Sequence, residues 1–202
     1  MSKKTLVLGL GNTLLADEGI GVHAIEHLSD YIRQFYPDLE DQVELLDGGT
    51  LSFTLAAAIE DSAQLIVIDA TRLDAAPGTV RVFEGESMDT FLGTGKRSSV
   101  HEVSLLDLMA VAALSGHLPE QRALIGIQPE NIDWSDALTP AVEKAIPAVC
   151  DHVIELVGRW NVMPVPATGS FVVKEQVVKE QVVNEQVVKE QEDGDKVTGV
   201  KV

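Results

Sequence analysis

The sequence predicts an α/β domain in which a twisted, mostly parallel sheet of about five strands carries helices on both faces, followed by a C-terminal tail expected to be disordered. Three observations carry that expectation. Short apolar runs alternate with segments of helical period. The chain has 202 residues, 45% of them hydrophobic, enough for one domain with a sizeable core. After Pro166 the composition collapses into a repeated pentapeptide.

The runs Thr5–Leu10, Val43–Leu46, Leu65–Ile68, Thr79–Phe83 and Ala123–Ile127 are rich in Val, Ile and Leu, as strands buried on both faces must be. The fourth, TVRVF, alternates and reads as an edge or antiparallel strand. Ile20, Ala24, Leu28, Tyr31, Ile32 and Phe35 recur at helical spacing and predict an amphipathic helix that packs on the sheet and ends near Pro37. Ser99-Val100-His101-Glu102 has the form of a capping box. It predicts a helix through Leu105, Leu106 and Met109 towards Gly116, with His101 in the first turn. Thr139-Pro140, a cap followed by a first-turn proline, opens a helix that runs to the neighbourhood of Trp160 with a kink or break at Pro147.

The domain is expected to span residues 1–163 and the tail residues 164–202. From Val172 to Gln191 the tail reads VVKEQ, VVKEQ, VVNEQ, VVKEQ. On a helix each Val-Val pair would rotate by ~140° from the last, and on a strand it would change face every copy, so no continuous apolar stripe forms.

The net charge is -17, and the tail contributes little to it: residues 167–202 hold 5 Lys against 7 Asp and Glu, a balance of -2, which leaves -15 on residues 1–166. Association with nucleic acid or an anionic membrane would begin with repulsion, so neither is an expected partner. Cys150 is the only cysteine, which excludes an internal disulfide and a cysteine metal cluster and points to a reducing, cytoplasmic setting. Lys3 and Lys4 before TLVLGLG imitate a signal peptide, but Gly9, Gly11 and Asn12 break the run, and a first strand is the better account. No apolar run approaches the roughly 18–20 residues that span a bilayer. A monomer is the expected oligomeric state.

In an open parallel sheet, ligands bind where loops converge at the carboxyl ends of the strands. The polar residues there are Asn12, Asp17 and Glu18, then Asp47-Gly48-Gly49-Thr50, Asp69, and Gln128-Pro129-Glu130, with His101 within reach if its helix opens at the same rim. Gly9-Leu10-Gly11 supplies two glycines of a dinucleotide fingerprint, but Leu14 stands where the third belongs. Asp17 and Glu18 would also repel a pyrophosphate at the helix they precede. An acidic pair suits a cation. Glu18, Asp69 and His101 offer two hard oxygens and one imidazole nitrogen, a set suited to a first-row divalent metal. Against it stands the plainer account, that Asp17 and Glu18 complement a helix dipole and Asp69 caps a loop. Asp47-Gly48-Gly49-Thr50 is either a turn or a place where a substrate backbone comes close. His23 and His27 are spaced as ligands, yet Glu26 and Asp30 beside them read as a solvated face. His117 and His152 have no visible partners, and nothing around Cys150 marks a reactive thiol.

Several ordered motifs together resemble the hydrogenase maturation proteases, which trim the C-terminus of the large subunit of nickel–iron hydrogenases. They are GLGNTLLADEGIGV at 9–22, LDGGT at 46–50, VIDA at 67–70, SVHE at 99–102, GIQPE at 126–130 and LTPAV at 138–142. The last two are most similar to the branch serving uptake hydrogenases. The resemblance implies that Glu18, Asp69 and His101 are the metal-binding and processing residues. It implies as well that the partner is the large-subunit precursor and that the metal is nickel, carried by that precursor and recognised before cleavage. On this footing Asp47, Gly48, Gly49 and Thr50 would bind the substrate, and Asn12 and Asp17 would support Glu18. A protein that binds the nickel-loaded precursor as a checkpoint or chaperone without cutting it is the alternative.

Overall fold

The structure, a computed structural model, describes residues 4–50, 53–93 and 100–161, with the backbone alone described at 100–104. The cap expected at Ser99 and the VVKEQ tail lie outside the described residues. The strands are β1 (Thr5–Leu10), β2 (Val43–Gly49), β3 (Gln64–Ala70), β4 (Val80–Glu84) and β5 (Gln121–Ile127). The helices are α1 (Ile20–Phe35), α2 (Ala56–Asp61), α3 (Glu86–Gly93), α4 (Val100–Leu114), α5 (Pro140–Glu143) and α6 (Ile146–Trp160).

The sheet runs β2-β1-β3-β5-β4, parallel throughout except for β4, which pairs antiparallel with β5 at the edge. The alternation in TVRVF foretold both features. β1 and β3 are buried at every position because each lies between two strands and under helices on both sides. Their side chains divide by the pleat. Val7, Ile66 and Ile68 pack with α1 and α6, while Leu6, Leu8, Leu10, Leu65 and Val67 pack with α2, α3 and α4.

Helix α1 forms because Ile20, Ala24, Leu28 and Ile32 make one buried stripe, and it stops at Phe35, just ahead of Pro37. Its contact with the sheet is backbone on backbone. A Cβ on Gly21 would stand 2.3 Å from the carbonyl oxygens of Ile68 and Leu10, and one on Gly9 would stand 2.2 Å from that of Gly21. The long C-terminal helix expected from Thr139 is two helices, and the break falls at Lys144-Ala145 rather than at Pro147. Pro147 sits in the first turn of α6, where its missing N–H has no partner to lose. α2 and α3 are too short for their periodicity to have stood out.

Between β1 and β3 the strand order reverses, since β2 lies on one side of β1 and β3 on the other. A crevice at the carboxyl ends follows from that reversal, and the loops after β1 and β3 open onto it.

Candidate active site at the carboxyl rim of the sheet

The loop after β1 is built from its own hydrogen bonds. Asn12 folds it back by accepting from the Leu14 N–H on its side chain (3.0 Å) and from the Leu15 N–H on its carbonyl (3.0 Å). Ala16 takes a left-handed backbone, φ 48°, before a single turn of tight helix at Ala16–Gly19. Glu18 in that turn accepts the Asn12 N–H on Oε2 at 3.1 Å. Asn12 therefore positions Glu18 through its backbone.

A turn of three residues per revolution sends neighbouring side chains ~120° apart, so the two carboxylates diverge. Asp17 is fully buried and takes the Thr139 N–H on Oδ1 (2.7 Å); Oδ2 takes the N–H groups of Glu130 (2.9 Å) and Asn131 (3.0 Å) and the Thr139 hydroxyl (2.9 Å). Backbone bonds run alongside: Ala16 N–H to Ser135 (2.8 Å), Asp17 N–H to Asn131 (3.1 Å) and Ser135 N–H to Leu14 (3.1 Å). Asp17 stands in the first turn of the tight helix that leads into α1, and its carboxylate accepts its hydrogen bonds from residues 130–139. It staples the 128–139 loop to the loop that carries Glu18. Thr139 is the N-cap of α5, as expected, and its carbonyl accepts the Glu143 N–H, but its hydroxyl is given to Asp17 rather than to the helix.

Asp69, 1% exposed, is the penultimate residue of β3. The pleat puts it on the same face as Leu65 and Val67, the face covered by α4. Its register partner on β5 is Gly126, which adds no side chain beside it. His101 is the second residue of α4, as expected; its side chain is outside the described residues. The turn that carries Glu18 contacts β3. Among the described residues no group of three His, Cys, Asp or Glu is gathered tightly enough to hold a metal. Asp47 accepts the Gly49 N–H at 2.8 Å, Gly49 has φ 50°, and Gly49 in turn accepts the Gly11 N–H at 2.9 Å. The DGGT segment is thus a turn that joins the first loop, with Asp47 and Thr50 exposed.

Two more residues shape the rim: Thr71, which the sequence reading did not single out, and Gln128, which it named only as a polar residue past the last strand. Thr71 is fully buried, gives its N–H to Ile127 (2.7 Å) and its hydroxyl to the carbonyl of Asp69 (3.2 Å). Gln128 accepts the Leu73 N–H at 2.8 Å. A small hydroxyl residue two places after a strand-ending aspartate is the pattern that signals the first of these.

The comparisons with known proteins agree with this architecture. The family model described as hydrogenase maturation protease matches residues 22–156, a span that includes Asp69 and His101. The chain is 36% identical over 173 residues to the hydrogenase expression/formation protein HoxM of Cupriavidus necator, covering 85% of this chain and 83% of that protein. It is 38% identical over 160 residues to HupD of Rhizobium leguminosarum bv. viciae, covering 79% and 76% respectively. The hydrogenase maturating endopeptidase HybD of E. coli superposes with a TM-score of 0.69 at 34% identity, covering 77% of this chain and 93% of that one.

The chain belongs to the hydrogenase maturation protease family.

In this maturation protease, a family of hydrolases, the glycines that imitate a dinucleotide fingerprint serve α1 instead. Gly9 and Gly21 let helix and strand touch, and Gly11, φ 137°, passes the chain over the Glu18 carbonyl, which a Cβ there would meet at 1.9 Å. His27 is exposed with Nδ1 3.3 Å from the His23 carbonyl oxygen, so the two histidines do not form a ligand pair. His152 does have a neighbour, Glu155 at 3.8 Å. Cys150 is buried in α6, and burial together with the charge of Asp151 pushes its thiol up to about 12, which makes it inert. No helix of the described residues is long and apolar enough to cross a membrane.

Proposed function

We propose that this protease works in the cytoplasm on the large-subunit precursor of a nickel–iron hydrogenase. It removes the precursor's C-terminal extension once nickel is in place, and it recognises that nickel through Glu18, Asp69 and His101. The observation that supports the proposal is that the turn bearing Glu18 contacts β3, the strand that carries Asp69 as its penultimate residue, next to the reversal of strand order, and that Asp69 lies on the sheet face that α4 covers. Two carboxylates and an imidazole make a donor set that fits a first-row divalent ion. Such a set is modest for holding nickel unaided, so the ion is part of the substrate and supplies the positive charge that is recognised.

The chain's own residues do the rest. Glu18 is held ready by the Asn12 N–H. Asp69 presents a carboxylate from a strand buried at every position. Asp47, Gly48, Gly49 and Thr50 receive the extension, with Asp47 and Thr50 exposed to meet it. The single cysteine, buried and inert, suits a reducing compartment.

The test offers nickel-loaded and nickel-free precursor to metal-stripped protein and follows the precursor's mass. Loss of the C-terminal extension from the nickel-loaded form alone is the expected result. Equal cleavage of the nickel-free form with no added metal would make the three residues ordinary acid–base groups. A stable complex without mass loss would make the protein a checkpoint.

A further inference from the structure

Beside the acidic turn, the two stapled loops carry large apolar side chains that nothing in the described residues covers. Leu14 is 53% exposed, Ile132 55% and Trp134 80%. They do not hang from slack chain. Ser135, next to Trp134, donates its N–H to the carbonyl of Leu14 and accepts the Ala16 N–H, while Asn131, next to Ile132, donates its N–H to buried Asp17. The 128–139 loop is further pinned inside itself, by Asp133 N–H to the Asn131 side chain (3.0 Å) and Ala137 N–H to the Ser135 hydroxyl (3.2 Å). Rigidly held, exposed tryptophan and isoleucine are the composition of a binding hot spot, because their burial gains apolar area and costs little ordering.

The charge around them selects the occupant. Glu130, Asp133 and Asp136 are exposed on the same loop. No Lys or Arg occurs between Lys4 and Arg33, or between Arg122 and Lys144, so both loops are free of positive side chains. A partner surface with an apolar anchor flanked by basic residues is complementary, and an acidic one is repelled.

We infer that Leu14, Ile132 and Trp134 form a docking ledge beside the active site for a segment of the hydrogenase precursor that presents an aliphatic or aromatic side chain next to lysine or arginine. The choice of partner rests on the function proposed above; the ledge itself rests on exposure, rigidity and charge. It would hold the precursor's body while the extension enters the site, so it governs affinity rather than the chemical step.

The experiment compares wild-type protein with Trp134→Ala, Ile132→Ser and the pair Asp133→Lys with Asp136→Lys, all at exposed positions. Steady-state cleavage of nickel-loaded precursor is followed by mass, with Kd for the same precursor measured if no cleavage occurs. Trp134→Ala and Ile132→Ser should each raise KM about tenfold with the loss absent from kcat. The charge reversal should raise KM several-fold and flatten its dependence on salt. Unchanged KM in both apolar variants overturns the ledge while leaving the protease intact. Wild-type binding without cleavage overturns the protease instead, and the ledge is then judged on whether Kd rises in the variants. Absence of both binding and cleavage overturns both. Should the apolar variants leave KM alone but dissociate a dimer seen by sedimentation, the ledge is a contact between two copies of this chain and the proposal fails.

Discussion

The two sides of the carboxyl rim are held in different ways. On the β1 side, one buried carboxylate, Asp17, gathers three backbone N–H groups and a hydroxyl from a loop more than a hundred residues away in sequence. Each such charge-assisted bond is worth about 1.5–3 kcal/mol, and each would leave an orphaned donor if broken. On the β2 side, the DGGT turn is tied by the Gly11 N–H to the Gly49 carbonyl and by the side chain of exposed Asp47. The lesson is that the rim has a fixed side and a yielding side. Glu18 is mounted on the fixed one, and the DGGT turn, proposed to receive the precursor's extension, is on the other.

The largest effect should come from the three residues proposed to recognise nickel, of which Glu18 is on the fixed side. Glu18→Gln, Asp69→Asn and His101→Ala should each abolish precursor processing, read as the absence of any mass loss. In Glu18→Gln the amide oxygen can still accept the Asn12 N–H, so the melting temperature should stay within about 2 °C of wild type. Full processing by any two of the three variants, with native circular dichroism, would remove these residues from the site.

Asp17 should behave in the opposite way from its neighbour. Asp17→Asn keeps the shape but turns an NH2 towards N–H donors, and the stability cost should be about 3 kcal/mol, a fall of about 6–12 °C for a domain of this size. Processing at low temperature should persist at a reduced rate, since the loop carrying Glu18 is loosened and not removed. A variant with wild-type melting temperature would break the contrast between the two sides.

That contrast was only half legible in the sequence. Strand positions, the edge character of TVRVF and the course of α1 follow from patterns over several residues, which is why Thr5–Leu10 is observed with its expected ends and α1 follows the expected stripe, stopping just short of Pro37. Candidates for the rim followed from the rule that polar residues after parallel strands converge. What the chain could not disclose locally was the partner of Asp17. A hydrogen bond between residues 17 and 139 leaves no periodic trace, so the sequence offers Asp17 as support for Glu18 or for a helix dipole and Thr139 as a cap, without showing that the cap's hydroxyl goes to Asp17. The position of the break near Pro147 was missed for a related reason: proline is harmless in a first turn, and only the register of α6 tells which turn it occupies.

The smallest effect belongs to the yielding side, and it decides what DGGT is for. Asp47 is exposed, and its carboxylate accepts the Gly49 N–H. Asparagine preserves that bond through its own carbonyl oxygen while removing the charge, so Asp47→Asn should leave the melting temperature within about 1 °C. Alanine removes the bond as well and should lower stability by about 0.5–1 kcal/mol, or about 1–4 °C. The two substitutions therefore separate the turn from the charge. If the segment receives the precursor's extension, both variants should raise KM two- to fivefold by the same factor, because both lack the charge. If KM follows the melting temperature, moving in Asp47→Ala and not in Asp47→Asn, the segment acts only as a turn, and the substrate is gripped by the fixed side of the rim.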